Sequence, residues 1–471
     1  MPTFIHQSTI DATPEEVYRW HARDGAFDRL SPPWQQVRTV AYDGGLFDGS
    51  RRVMKMGPRP VAVTWEAIHR DHVEGRQFVD EQVKGPFKRW VHRHRFEPCA
   101  EGKTRLIDEV NYELPLSPVS SWMAGPSTRR MLERLFAFRH RRTAEDLRRH
   151  RRQQAALTVA ITGASGMIGA ALCAFLETGG PRVIRLVRRR DQVGPDAIYW
   201  SPASGELDPA DLEGVDAVIH LAGEPVVGRW TSTKRCAIEE SRVQGTRLLA
   251  DAIAEADGGP RVFLSASAVG YYGDSGDRVL SEDSDSGQGF LAHVCRRWEE
   301  ATEQARRAGV RTVQMRLGVV LSPRGGALVP MQRASALSFA SRLGDGRQYV
   351  PWIDLDDVLG AMAFLLNHPT MEGPVNLCAP QPLRNETVMK TIAEVIDRPA
   401  VIPVPEAALA LAMGQQAADE TVLVSQQVVP RRLLHSGFQF FYPDLFTSVA
   451  VHLGQVSLSA PPSGRQTMVT R

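Results

Sequence analysis

The sequence predicts an α/β chain built around a doubly wound parallel sheet, with an α+β unit before it and a small, mostly helical segment after it. Three observations carry that reading. From Leu157 onward, short apolar runs alternate with helix-length segments, the pattern of successive βαβ units. Before that point, seven strand-like runs separated by Gly/Pro/Asp turns end in one long helical stretch. After Glu386 the chain reads as helices up to about Leu453, interrupted at Pro403 and Pro405. The expected divisions are 1–152, 156–385, 386–455 and a Ser/Pro/Gly-rich, disordered tail at 456–471.

In the first part, Thr3–Ile10 reads as a strand. Thr13-Pro14-Glu15-Glu16 then supplies an N-cap, a proline at the first helical position and a glutamate three residues after the cap. The helix it opens presents Val17, Tyr18 and Trp20. Further strands are expected at Val37–Tyr42, Arg51–Met56, Val61–His69, Arg76–Gln82, Arg89–Glu97 and Thr104–Tyr112, with turns such as Asp43-Gly44-Gly45 that favour antiparallel pairing. After Pro118 a helix runs to about Arg152, with Met131, Leu132, Leu135, Phe136 and Leu147 at helical spacing.

In the second part, strands are expected at Thr158–Ile161, Arg182–Val187, Ala217–Leu221, Val262–Leu264 and Thr312–Met315. Directly after the first of these stands Thr162-Gly163-Ala164-Ser165-Gly166-Met167-Ile168-Gly169. A G-x-x-G-x-x-G turn lets backbone approach a pyrophosphate, and the following helix (Ala170–Glu177) aims its N–H groups and positive dipole end at the phosphates. The second strand ends in Val187-Arg188-Arg189-Arg190 rather than in the Asp or Glu that would bind a ribose 2′-hydroxyl. A guanidinium such as that of Arg188 forks onto a 2′-phosphate, so NADP is the expected cofactor; a solvated basic turn is the plainer alternative.

Composition limits the function classes. The 471 residues are 43% hydrophobic and 23% charged, which excludes wholesale disorder. The net charge of +2 hides an asymmetry, with 27 basic against 20 acidic residues in 1–152 and 29 against 34 in the remainder. That total argues against a general nucleic-acid binder. Five widely spaced cysteines without a C-x-x-C pair, and no secretory leader, point to a reducing, cytoplasmic setting and exclude a zinc ribbon. The uncharged run Leu157–Leu176 imitates a membrane span, but its three glycines fit a buried strand–turn–helix better.

Two resemblances follow. The element order over residues 3–150 resembles the SRPBCC (START-like, helix-grip) superfamily, which implies a cavity for an apolar ligand between sheet and helix. From about 157 to 450 the chain resembles the extended short-chain dehydrogenase/reductase superfamily, with its Rossmann-type fold, and within it the "epimerase family protein" branch. The motifs that carry this are His220-Leu221-Ala222-Gly223-Glu224, Arg229-Trp230-Thr231, Ser241-Arg242-Val243, Ser265-Ala266-Ser267 through Tyr271-Tyr272-Gly273, Arg316-Leu317-Gly318-Val319-Val320-Leu321 and Pro351-Trp352-Ile353-Asp354. The resemblance implies that Leu221 and Ala222 line the adenosine side of the cofactor, with Gly223 also in the cofactor site, and that Val320 sits near the nicotinamide. Arg242 would contact cofactor phosphate or a substrate carboxylate, or else pair with Glu239 on the helix surface.

The superfamily's proton-transfer machinery is a serine with Tyr-x-x-x-Lys. Ser267 matches the serine, but Phe290 and Val294 stand where the tyrosine and lysine belong, and neither side chain ionises. Tyr271, Tyr272 and Glu224 are the candidates to substitute, with buried, hydroxyl-satisfied tyrosines and a helix-capping or Arg229-paired glutamate as the structural alternatives. Asp354 and Asp357 match a helix start near the substrate pocket, or simply cap it.

Two features of the first part remain. Trp90, His92, His94 and Phe96 alternate and share one strand face. The two imidazoles can line the cavity and donate to a polar ligand head, which is the preferred reading. They can also share a metal with Asp80 or Asp108, but no third ligand is fixed and no metal is assigned. The helix from Thr128 to Arg152 carries ten arginines, read as a solvated face rather than as a nucleic-acid or membrane surface. The expected function is therefore an NADP-binding oxidoreductase or epimerase with an atypical active site and an attached ligand-binding unit. The alternative is a non-catalytic NADPH and ligand sensor.

Overall fold

A computed structural model describes residues 2–58, 60–115, 119–151, 156–336 and 339–455. The expected disordered tail at 456–471 and Arg152 lie outside the described residues. The chain divides into two compact units, one formed by Met1–Arg148 and one by Arg149–Leu453.

The first unit is a seven-stranded antiparallel sheet with three helices. Its elements are β1 (Thr3–Ile10), α1 (Pro14–Ala22), α2 (Ala26–Leu30), β2 (Val37–Tyr42), β3 (Arg51–Met56), β4 (Val63–Val73), β5 (Gln77–Lys84), β6 (Arg89–Ala100), β7 (Lys103–Glu113) and α3 (Val119–His150). The strands lie in the order β1-β7-β6-β5-β4-β3-β2, a meander that returns its last strand beside its first. At α1 the capping box forms as its sequence requires: the Glu16 amide donates to the Thr13 hydroxyl, and the Thr13 amide donates to the Glu16 carboxylate. The helix buries Val17 and Trp20 completely.

Alternation holds along β6, where Trp90, His92, His94 and Phe96 are buried and the residues between them are not. On α3, Leu132, Leu135 and Phe136 pack with Phe4, Trp90, Val110 and Tyr112. Met131, expected on the same stripe, is instead 41% exposed, because the 100° step per helical residue carries it off the Leu132–Leu135–Phe136 row. Nor is the arginine-rich face uniformly solvated. Arg142 is buried, Arg139 donates to the Leu30 carbonyl, and Arg141 pairs with Glu145 one turn on. Buried Asp146 takes a two-pronged bond from Arg29.

The second unit centres on a seven-stranded parallel sheet. Its elements include β8 (Thr158–Thr162), α4 (Met167–Gly179), β9 (Arg182–Val187), β10 (Ala197–Tyr199), β11 (Ala217–His220), α5 (Ser232–Glu255), β12 (Val262–Ala268) and α6 (Phe290–Glu300). The sheet runs β10-β9-β8-β11-β12 and continues with the strands Arg311–Leu317 and Gly373–Leu377. The order reverses between β8 and β11, which places a crevice at their carboxyl ends, where open α/β sheets bind ligands.

Both faces of this sheet are covered, so its strands read as near-continuous apolar runs. Val159 and Ile161 pack with Leu172, Phe175 and the helix Leu355–Asn367, whereas Ala160 packs oppositely with Ile184, Leu249 and Phe263. The apolar run Leu157–Leu176 is accordingly β8, a turn and the start of α4, and no described helix is long and apolar enough to cross a membrane. The segment beyond 386 belongs to this unit. Its proline interruption is a short strand, Ile402–Val404, that pairs with Phe339–Leu343, a non-central position that tolerates Pro403.

Candidate functional site

The glycine turn between β8 and α4 is shaped by close backbone approach. Gly163 has φ +67°, and a Cβ on it would lie 2.9 Å from the Leu221 carbonyl carbon. A Cβ on Gly169 would fall 2.1 Å from the Gly163 oxygen, which already accepts from the Gly166 amide. Gly166 occupies the N-cap of α4 without a side-chain cap, and the first turn has no acidic residue. Ser165 and Gly166 are exposed, and Met167 and Ile168 open the helix. A helix terminus with free N–H groups and no competing carboxylate is what a pyrophosphate requires. The cradle therefore fits a dinucleotide.

Thr162 fastens the crevice. Its hydroxyl oxygen accepts from the Leu221 and Ala222 amides, so its own proton goes to His220 Nδ1, 2.7 Å away. His220 thus carries its proton on Nε2 in a fully buried position, and burial pushes its pKa down to about 3. Because the unfolded chain takes up this proton near pH 6.5 and the folded chain does not, stability is lost as pH falls from about 6.5 toward 3. Unfolding free energies from urea titrations should therefore fall with a slope approaching about 1.4 kcal/mol per pH unit in that window. A His220→Gln variant should lose that component of the slope.

The three arginines after β9 separate clearly. Arg189 pairs with Asp191, and Arg190 pairs with Glu206 and lies over the Tyr199 ring. Arg188 is exposed and, among the described residues, makes no hydrogen bond or ion pair. On the other side of the crevice Gly223 is exposed and faces the Arg242 guanidinium. Arg242 donates to the Glu224 and Ile238 carbonyls and sits 4.9 Å from the Trp298 ring centre. The expected alternative, a pair with Glu239, does not form, since Glu239 is taken by Arg297. Val320 lies on the strand Val319–Ser322 opposite Ile353, and Val320 and Met167 both approach Gly326.

The catalytic candidates divide by whether their polar atoms are already committed. Ser267, 1% exposed, donates to Glu299 Oε1 at 2.7 Å. Glu299 is gripped by Arg316 through two 2.8 Å bonds, and Arg316 also donates to the Tyr272 hydroxyl. Tyr272 in turn donates to Asn376 Oδ1, and burial pushes its phenol up to about 12. It is a structural tyrosine. Glu224 is held by Lys234 at 2.5 Å, not by Arg229. Tyr271 differs from these: it is only partly buried, its hydroxyl has no partner among the described residues, and the Arg316 guanidinium lies 3.5 Å from its ring centre.

Phe290 and Val294 begin α6 as the sequence implies; Val294 is buried and Phe290 meets the Trp230 ring edge-on. Asp354 follows the plainer reading and caps its helix, whereas Asp357 does not cap: it accepts from the Phe441 and Tyr442 amides and faces Arg149. Sequence reasoning assigned no role to Glu299, Arg316, Asn376 or Lys234. Arg316 opens one of the motifs quoted above, but nothing local joins it to Glu299.

In the first unit, His69, Asp80, His92, His94, Asp108 and His140 form one connected group inside the sheet. Where an apolar cavity is expected, the interior therefore carries imidazoles and carboxylates. Burial and the neighbouring His94 push His92 down to about 4. Against the opposing effect of burial, Asp108 and Asp80 raise His94 to about 9.

Comparison with known proteins agrees with this geometry. Residues 159–378 match the NAD dependent epimerase/dehydratase family, residues 404–450 match a domain of unknown function, and residues 10–138 match the polyketide cyclase/dehydrase and lipid transport family. An epimerase family protein of Mycobacterium bovis is 41% identical over 285 residues, covering 60% of this chain and 93% of its own. The crystal structure of a nucleoside-diphosphate sugar epimerase from Corynebacterium glutamicum is 32% identical with a TM-score of 0.80, over 97% of this chain and 91% of that one. The human epimerase family protein SDR39U1, solved with NADPH, is 31% identical with a TM-score of 0.58, over 64% of this chain and 100% of its own. With its glycine cradle, its sheet order and these relatives, the chain belongs to the epimerase family proteins, a group with the NAD(P)-dependent epimerase/dehydratase fold.

Proposed function

We propose that this protein binds NADP(H) in the second unit and uses it in an oxidoreductase or epimerase reaction at a carbinol or carbonyl carbon of a small substrate. The observation that carries the proposal is Arg188, the one arginine after β9 left without a partner, beside a cradle that a Cβ would fill. The human relative solved with NADPH supports the same cofactor. Gly163, Ser165, Gly166, Met167, Ile168 and Gly169 would receive the pyrophosphate, Leu221, Ala222 and Gly223 the adenosine side, and Arg188 the 2′-phosphate. Arg242 and Val320 would border the remaining length toward the nicotinamide.

Bound nicotinamide supplies a hydride donor or acceptor. The chain must then hold and move one proton at the substrate oxygen. Ser267 and Tyr272 are spent on the Glu299–Arg316 network, and Phe290 has no proton to give. Tyr271 is the phenol left for that work, with Arg316 placing positive charge against its ring. The name of the Corynebacterium relative makes nucleoside-diphosphate sugars the first substrates to assay.

Calorimetric titration of an Arg188→Ala variant tests the cofactor reading. Loss of a charge-assisted phosphate contact, about 1.5–3 kcal/mol, should weaken NADPH about 10- to 100-fold and leave NADH nearly unchanged. An unchanged ratio of the two affinities would contradict it. Tyr271→Phe should retain NADPH binding and lose substrate-dependent NADPH oxidation. Turnover unaffected by that change would remove Tyr271 from the mechanism. The rival reading, a non-catalytic NADPH sensor, is favoured by Phe290 and Val294 and predicts binding without turnover on any such substrate.

A further inference from the structure

We propose that Asp80, His92 and His94 in the first unit form a binding site for one divalent first-row transition-metal ion, with Asp108 as the outer carboxylate that orients His92 and stands behind His94. Strand register builds the site. His69 on β4 lies opposite Asp80 on β5, Asp80 lies opposite His92 on β6, and His94 lies opposite Asp108 on β7. Four adjacent strands thus bring imidazoles and carboxylates into one row.

The donor atoms converge. His94 Nε2 is 3.2 Å and His92 Nδ1 is 3.8 Å from Asp80 Oδ2, and the three residues' donor atoms lie within 4.8 Å of one another. Donors bound to a common ion at about 2.0–2.1 Å sit roughly 3.0–3.4 Å apart in octahedral or tetrahedral geometry, so a small inward adjustment would close the site.

The outer shell is the stronger argument. The ring nitrogens pointing away from Asp80, His92 Nε2 and His94 Nδ1, lie 2.8 and 2.7 Å from the same oxygen, Asp108 Oδ1. Of these two contacts, that to His92 has hydrogen-bond geometry, and a carboxylate so placed behind a ligating histidine fixes its orientation, as at established metal centres; the same carboxylate stands close behind His94. Asp108 is itself held through its other oxygen by His140 Nε2 at 2.6 Å, and His140 by Ser8. Asp80 is likewise steadied through its second oxygen by His69 at 2.9 Å. His92, His94, Asp108 and His140 are each at most 5% exposed, whereas the Asp80 side chain is 27% exposed. The site is therefore closed on its protein side and open at the carboxylate.

Two imidazoles and one carboxylate suit Zn2+ or Fe2+, and three protein ligands leave positions for water or for an oxygen-bearing ligand head. This inference is independent of the cofactor reading for the second unit. The test uses the full chain: elemental analysis as purified, then chelator stripping and Zn2+ titration in competition with a chromophoric chelator. Co2+ absorption reports the ligand set. One Zn2+ per chain is expected, with Asp108→Asn weakening it about 10- to 100-fold. His94→Gln should weaken it by more than that, and far-UV circular dichroism and NADPH affinity should stay unchanged in both variants. Should His94→Gln fail to fold, titration of the unmodified chain and of Asp108→Asn still decides. Metal-free protein that takes up Zn2+ without saturation overturns the proposal, as does an affinity untouched in either folded variant. The histidines would then be hydrogen-bond donors to a ligand head.

Discussion

An Arg316→Met variant is expected to lose about 3–5 kcal/mol of stability, the usual consequence of removing one partner from a buried ion pair. Arg316 is 3% exposed and is the hub of the second unit's polar interior, holding both oxygens of Glu299 and the Tyr272 hydroxyl. Without it, Glu299 keeps only the Ser267 hydroxyl among the bonds described, and Tyr272 loses a donor. Urea unfolding should show the loss as a lowered midpoint with an unchanged slope. The double variant Arg316→Met/Glu299→Leu should recover a large part of it, since replacing both charges with apolar groups is often close to neutral. A single variant within 1 kcal/mol of the parent would show that the network contributes little.

A Gly169→Ala variant is expected to abolish saturable NADPH binding while leaving the first unit intact. The added carbon would meet the Gly163 carbonyl oxygen at 2.1 Å and Ala164 Cα at 2.9 Å, all backbone that cannot rotate aside. The turn would have to open, and with it the row of amides that faces the phosphates. A loss of at least ~100-fold in affinity, on the order of 3 kcal/mol, is the expected reading by fluorescence titration. Gly194→Ala is a fitting control: a Cβ there meets nothing within 4 Å and φ is not positive, so binding should be unaffected.

What could be read in the sequence, and what could not, follows from the range of the interactions involved. The cradle was legible because Gly163 and Gly169 stand where backbone passes too close for a Cβ, and a glycine triplet directly after a strand marks such a turn. Several strand bounds, such as those of β1, β2, β3 and β9, agree with apolar patterning to the residue. β12 does not: it runs on from Leu264 to Ala268, because Ser265 and Ser267 are buried polar residues that an apolar count stops at. The network that commits Ser267 was illegible for a related reason. Ser267 and Tyr272 share one stretch, but Glu299, Arg316 and Asn376 come from three others, and only the order of the sheet brings β12 beside Arg311–Leu317 and that strand beside Gly373–Leu377.

The histidines of β6 show the same limit from the other side. Alternation placed His92 and His94 on one face, and that was correct. Which carboxylates they would meet depended on the register of β5 and β7, which alternation cannot supply. Of the candidates for acid–base work, the sequence could not separate Tyr271 from Tyr272. They are adjacent, yet one phenol is enclosed against Asn376 and Arg316 and the other is not.

An NADP(H) site selected by Arg188, as proposed for the second unit, would discriminate between the phosphorylated and unphosphorylated dinucleotides. Native mass spectrometry of the full chain with NADPH and NADH competing at equal concentration tests it most directly. One dinucleotide per chain is expected, with NADPH displacing NADH and the preference disappearing in Arg188→Ala. An absence of any dinucleotide adduct, or a preference for NADH, would contradict it.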